Sequence, residues 1–114
     1  MNKRVWVQME LELYPVRIFR THKAAIESGT HIQHMDRAEA VRSIRDRLWL
    51  LSESQCMWCG FPVSYENFHM HEVVPRGAGG EISLENSVVI CAECHIIGPD
   101  AAHSNRRPRF KGTY

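Results

Sequence analysis

The sequence predicts a small α+β domain, and three features of its 114 residues point there. Val5, Val7, Met9, Leu11 and Leu13 alternate with Trp6, Gln8, Glu10 and Glu12, the period of two that gives a strand one apolar face. Between about Arg37 and Leu51, the residues Val41, Ile44, Leu48 and Leu51 recur at helical spacing. Two Cys-x-x-Cys pairs, Cys56/Cys59 and Cys91/Cys94, then bracket much of the second half, and four thiolates meet the tetrahedral demand of one Zn²⁺.

Each element has a local reason. Tyr14-Pro15 is expected to end the first strand, with a second short strand from Val16 to Arg20. Thr21 is placed to cap a brief helix through Ile26, and Gly29 to stop it. Asp36 and Glu39 have capping-box spacing at the start of the long helix, whose Arg37, Arg42 and Arg45 point away from its apolar stripe, as on an ordinary solvated face, with a DNA-tracking surface the alternative. Cys56-Met57-Trp58-Cys59-Gly60 reads as a first zinc knuckle, with Gly60 suited to a left-handed backbone and Trp58 a lid on the turn. Phe68 to Val74 is extended, Pro75 prevents further ladder pairing, and Gly77-Ala78-Gly79-Gly80 allows a reversal. Leu84 to Ile90 returns the chain to Cys91-Ala92-Glu93-Cys94-His95, which opens a helix interrupted by Gly98-Pro99.

A formal net charge of +1 and 44% hydrophobic residues suit one globular domain near the size where a core is only just sufficient, so a metal staple would help. No apolar run approaches the roughly 20 residues that span a bilayer, so no membrane partner is expected. The opening Met1-Asn2-Lys3-Arg4-Val5-Trp6 lacks the apolar stretch of a secretory signal, so a cytoplasmic protein is expected. In that reducing setting paired cysteines read as metal ligands; two disulfides in a secreted protein is the alternative. Arg106, Arg107, Arg109 and Lys111 crowd the C-terminus, and Arg17, Arg20 and Lys23 form a second basic cluster; either neutralises phosphates or is a solvated surface.

The stretch Met70-His71-Glu72-Val73-Val74-Pro75-Arg76-Gly77-Ala78-Gly79-Gly80, then Leu84-Glu85-Asn86-Ser87 and Cys91-Ala92-Glu93-Cys94-His95, resembles the HNH endonucleases. The resemblance runs from Cys56 to roughly Asn105 and leaves the first 50 or so residues outside it. It implies a ββα-metal (His-Me finger) core stapled by Cys56, Cys59, Cys91 and Cys94, behind an N-terminal strand-and-helix extension, with a division into 1–54 and 55–114. It also implies a bacterial or phage setting, a DNA substrate, and products with 5′-phosphate and 3′-hydroxyl ends. Monomer and homodimer are both compatible with the chain.

The chemistry asks for these residue types. Hydrolysis of a phosphodiester needs a water deprotonated and the departing oxygen's charge neutralised, tasks for a neutral imidazole and a divalent cation. By resemblance His71 is the general base, Asn86 holds the hairpin loop and orients that base, and His95 ligates the catalytic ion, with His103 as a further ligand. Asn86 as a helix N-cap is the plainer alternative. Arg76 with Arg106, Arg107 and Arg109 would contact phosphates. Where the family often has a metal-binding aspartate or histidine before the base, this chain has Met70, a poor ligand for Mg²⁺, so His103, or else His69, would complete the site. Imidazole ligands favour Mn²⁺, Co²⁺ or Ni²⁺ over Mg²⁺. The expected function is therefore a metal-dependent DNA endonuclease. The rival is a catalytically inactive, zinc-stabilised nucleic-acid-binding module; a zinc-ribbon interaction module would need the cysteines alone.

Overall fold

Val7, Met9 and Ile18 meet Ala40 and Ile44 in one buried cluster, and that meeting sets the architecture of the N-terminal half. The computed structural model describes residues 3–11 and 13–97. β1 (Arg4–Glu10) lies between β3 (Ile32–Asp36) and β2 (Tyr14–Ile18), antiparallel to both. The apolar positions of β1 predicted from its alternation do face the core: Val7 is fully buried and Met9 nearly so.

The strand is shorter than its alternation predicts. It ends at Glu10; Leu11 takes a left-handed φ of 54°, and the Leu13 N–H donates to the Glu10 carbonyl at 3.0 Å. Leu11 and Leu13 are therefore exposed on the tip of a hairpin, because a tight reversal overrides the alternation. Tyr14-Pro15 opens β2 and does not close β1. Pro15 sits opposite Met9 where the register shifts, an irregularity that accommodates a residue with no N–H to donate.

α1 (His22–Ser28) has the caps its sequence predicts: the Thr21 hydroxyl accepts the Ala24 N–H at 3.0 Å, and Gly29 closes it at a φ of 69°. The chain then forms β3, which the sequence reading did not anticipate, since Ile-Gln-His-Met-Asp carries no clean alternation and is ordered by pairing with β1. α2 (Arg37–Ser52) starts where Asp36 accepts the Glu39 N–H at 3.2 Å. Its buried stripe is Ala40, Ile44, Leu48 and Ser52. Leu51, expected on that face, is 60% exposed: the side packed on the sheet follows an i, i+4 line through small residues at its ends.

The second half is an antiparallel hairpin of β4 (His69–Glu72) and β6 (Ser87–Ile90), followed by a single wide helical turn at Glu93–Ile97. Leu48 of α2 packs with Phe68 and Val89, joining the helix to this hairpin. The Arg45 guanidinium lies 3.8 Å from the Phe68 ring centroid and donates to the Phe68 carbonyl at 3.3 Å, fixing the approach to β4. Within the hairpin loop, β5 (Ile82–Ser83) pairs with β2, so the N-terminal sheet has the order β3-β1-β2-β5. Ile82 belongs to the N-terminal core cluster, and Leu84 packs against both. The architecture is α+β, as the sequence predicts. No helix of the described residues is long and apolar enough to cross a membrane.

Candidate functional site

The two cysteine pairs converge. One ligand atom from each of Cys56, Cys59, Cys91 and Cys94 lies within 4.8 Å of all the others, and Cys59 Sγ is 3.9 Å from Cys91 Sγ. Sulfurs about 2.3 Å from a tetrahedral zinc stand about 3.8 Å apart, so the cluster has the right size. Local structure explains the aim of the first pair: the Gly60 N–H donates to the Cys56 carbonyl at 2.8 Å, Gly60 takes a φ of 80°, and the Met57 N–H donates to the Val89 carbonyl, seating the knuckle on β6. In the second pair the His95 N–H donates to the Cys91 carbonyl at 3.0 Å, starting the helical turn at the knuckle itself.

The thiol electrostatics agree. Burial pushes the Cys56 thiol up, but the N–H groups of Cys59, Cys91 and Trp58 outweigh it and bring the pKa to about 7. Burial, and then the Cys59, Cys91 and Cys56 sulfurs, hold the Cys94 thiol far above its usual range. At Cys59 the Phe61 N–H favours the thiolate, yet burial and the Cys56 and Cys91 sulfurs leave the pKa raised. Four sulfurs this close ionise together only around a cation, so the donor set fits a zinc ion.

Beside this cluster the hairpin gathers three imidazoles. His69 and His71 alternate with Met70 on β4, and β4 pairs regularly with β6, so both histidines project to one face. The His71 ring centroid is 5.2 Å from that of His95, and His69 Nδ1 is 2.8 Å from His95 Nδ1. The Trp58 ring stands edge-on to His71 at 5.8 Å, so this side chain, read from the sequence as a lid on the knuckle, also walls the histidine cluster. Among the described residues, the four cysteines are the only group of three or more ligand side chains with all donor atoms within 4.8 Å of one another.

Met70 packs with Leu48, Phe68 and Val89, on the core side of β4. Its side chain therefore points away from the imidazoles, and the preceding residue on their face is His69. The sequence contained this answer in its period of two, but only once β4 was known to be regular.

Asn86 ties the hairpin loop together. Its Oδ1 accepts the Val74 N–H at 2.8 Å, and its Nδ2 donates to the carbonyls of Val74 at 2.9 Å and Glu81 at 2.8 Å. It precedes a strand, so the helix N-cap reading is overturned. The paired glycines have separate reasons: Gly79 takes a φ of 94°, whereas a Cβ on Gly80 would stand 1.7 Å from the Val74 carbonyl oxygen. Arg76 begins a short 3-10 turn (Arg76–Ala78), with its Nε 3.5 Å from a Glu72 carboxylate oxygen. His103, Arg106, Arg107 and Arg109 lie outside the described residues.

Residues 56–97 match the family model of the HNH endonucleases. The CRISPR-associated endonuclease Cas9 of Corynebacterium diphtheriae is 40% identical over 42 residues, which are 36% of this chain and 4% of that protein. The chain thus spans a small fraction of the relative it matches. No solved structure matches. The matched segment, residues 56–97, holds both cysteine pairs, the three imidazoles and the loop pinned by Asn86, and it is there that the chain is similar to the HNH endonucleases.

Proposed function

We propose that this chain is a metal-dependent endonuclease that hydrolyses phosphodiester bonds of DNA in a bacterial or phage-infected cell. The observation that carries the reading is the meeting of His71, from the first hairpin strand, with His95, from the turn after the second cysteine pair, their ring centroids 5.2 Å apart. By resemblance to the HNH endonucleases these are the groups expected to act. The division into 1–54 and 55–114 is part of the proposal.

His71 takes the proton from the attacking water, a role suited to an imidazole near neutrality. Asn86 acts through the backbone: by binding Val74 and Glu81 it fixes the loop that leaves β4 and so the strand end that carries His71. His95 and His103 would hold a catalytic divalent ion, which when bound would neutralise the charge growing on the departing oxygen. His69 is a positioning residue: its Nδ1 meets Nδ1 of His95 at 2.8 Å and so helps to set the orientation of that ring. Zinc at the four cysteines would hold Cys94, and hence His95, in place. Arg76 and the Arg106, Arg107 and Arg109 tail bind phosphates. Met70, the best support for an inactive binding module, faces the core, and His69 is the residue before His71 on the imidazole face.

The test is incubation of purified, zinc-loaded protein with supercoiled plasmid and Mg²⁺, Mn²⁺, Co²⁺ or Ni²⁺ at equal concentration. Cutting is expected, and more with the transition ions than with Mg²⁺, because imidazole nitrogen suits them better. His103→Asp, which adds an oxygen ligand, should erase that preference. No cutting with any of the four ions would overturn the nuclease; a preference for Mg²⁺ would overturn the two-imidazole site.

A further inference from the structure

We infer that the N-terminal sheet, outside the matched segment, carries a DNA-backbone cleft that it builds jointly with the hairpin loop. The inference rests on the reading of the chain as a nuclease acting on DNA. A cleft of about 460 Å³ lies between the ends of β1 and β2, the start of α1 and the loop preceding β5, and Lys3, Arg4, Arg20, Arg37 and Arg76 line it. Glu81 is the single carboxylate on its wall, and Arg17 already neutralises it at 2.7 Å. Among the described residues, Lys3, Arg20 and Arg37 have no ion pair, whereas Arg76 is shared with Glu72 and Arg4 is turned to the His34 carbonyl.

The fold assembles this charge on purpose-built backbone. The Arg37 N–H donates to the Lys3 carbonyl at 2.7 Å and the Phe19 N–H to the Trp6 carbonyl at 2.8 Å, bringing residues from β1, β2 and α2 to one edge. A concentration of like charge with one compensated acid on its wall is held against its own repulsion, and it matches a polyanion. Trp6 also lines the cleft. Its ring is stacked between His22, at 4.4 Å, and His34, at 4.5 Å, so an aromatic ladder stands beside the arginines, and its exposed outer imidazole, His22, lines the cleft as well. Arg76 stands in the same loop that Asn86 anchors, five residues past His71, and so links the cleft to the hairpin that carries the histidines. A DNA strand entering over the N-terminal sheet is delivered to that hairpin.

The experiment is binding of a fluorescein-labelled DNA duplex, read by anisotropy over a range of salt concentrations in zinc-containing buffer with no other divalent ion. Arg20→Glu with Arg37→Glu should weaken binding at least about tenfold and flatten the log–log salt dependence by about two units, one per lost phosphate contact. Lys23→Glu with Arg42→Glu, an equal charge change on exposed positions that do not line the cleft, should stay within about threefold of the unmodified protein. If the reversal pair does not fold by circular dichroism, Arg20→Gln and Arg37→Gln singly should each flatten the slope by about one unit. Equal loss in both pairs, or undiminished binding in a folded cleft variant, overturns the cleft. Cleft-dependent binding by a protein that never cuts plasmid would sink the nuclease reading and leave the cleft standing; cutting with cleft-independent binding would do the reverse.

Discussion

In the N-terminal half, Val7, Met9, Ile18, Ala40 and Ile44 bury one another across a sheet and a helix, whereas from Cys56 onward the buried positions Cys56, Val88 and Ile90 cluster with Trp58, Cys91 and Cys94 around two thiol pairs. The first region is held by apolar area, which needs no cofactor. The second has one hairpin and one helical turn, too little to be stable alone, and the four sulfurs it gathers could hold a zinc ion that would staple it. The comparison teaches where function is exposed to failure. The proposed chemistry sits on the thiol-bearing region, and that region is braced from the other side by Ile82, Leu84 and Leu48.

The largest effect should come from breaking the thiol-bearing region alone. Cys91→Ser, or zinc removal by a chelator, should unfold the segment from Cys56 onward, seen as collapse of its amide chemical-shift dispersion. Lowering the pH should release zinc in the same way, because protons compete for the four thiolates. Less than half an equivalent of zinc in protein prepared without chelator, together with an intact fold after Cys91→Ser, would show that the region stands without metal. Next comes the apolar region: Ile44→Ala should cost about 2–5 kcal/mol in a denaturant titration, by loss of buried methyls and a residual cavity. A loss below about 1 kcal/mol would mean that α2 is not the keystone of that core.

Smaller effects sharpen the brace and the caps. Gly80→Ala should destabilise by about 1–3 kcal/mol, because its Cβ would meet the Val74 carbonyl oxygen and the loop must open. The change should also disturb the Asn86 bonds, and so lower any cleavage more than Ile44→Ala does at matched stability. Asp36→Ala should cost about 1 kcal/mol through the lost cap on α2, and leave the thiol-bearing region untouched.

What was legible in the sequence follows the same divide. Local devices were readable at their residues: Thr21 and Gly29 bounding α1, Asp36 with Glu39 at the start of α2, Gly60 after the first cysteine pair. The cysteine spacing and the HNH-like order of residues gave the second half its fold. Pairings made at a distance were not readable. β3 exists because β1 offers it an edge, and β5 is two residues long and joins a strand more than 60 positions earlier. Leu51 was misplaced because helical spacing alone does not say which neighbouring line of the stripe meets the sheet. In the site, His71, Asn86 and His95 were named from their order, but the contact of His69 with His95 and the inward turn of Met70 required the strand's register.

The central claim is that the hairpin of the thiol-bearing region presents His71 for chemistry, while other residues maintain its structure. It is tested most directly by His71→Ala, with plasmid cleavage rate and thermal melting measured on the same zinc-loaded preparation. The account predicts that cleavage falls by about 10²-fold or more while the melting temperature and DNA affinity stay near those of the unmodified protein. Cleavage that persists undiminished in the folded variant would contradict it and move the base elsewhere on β4, with His69 the next candidate.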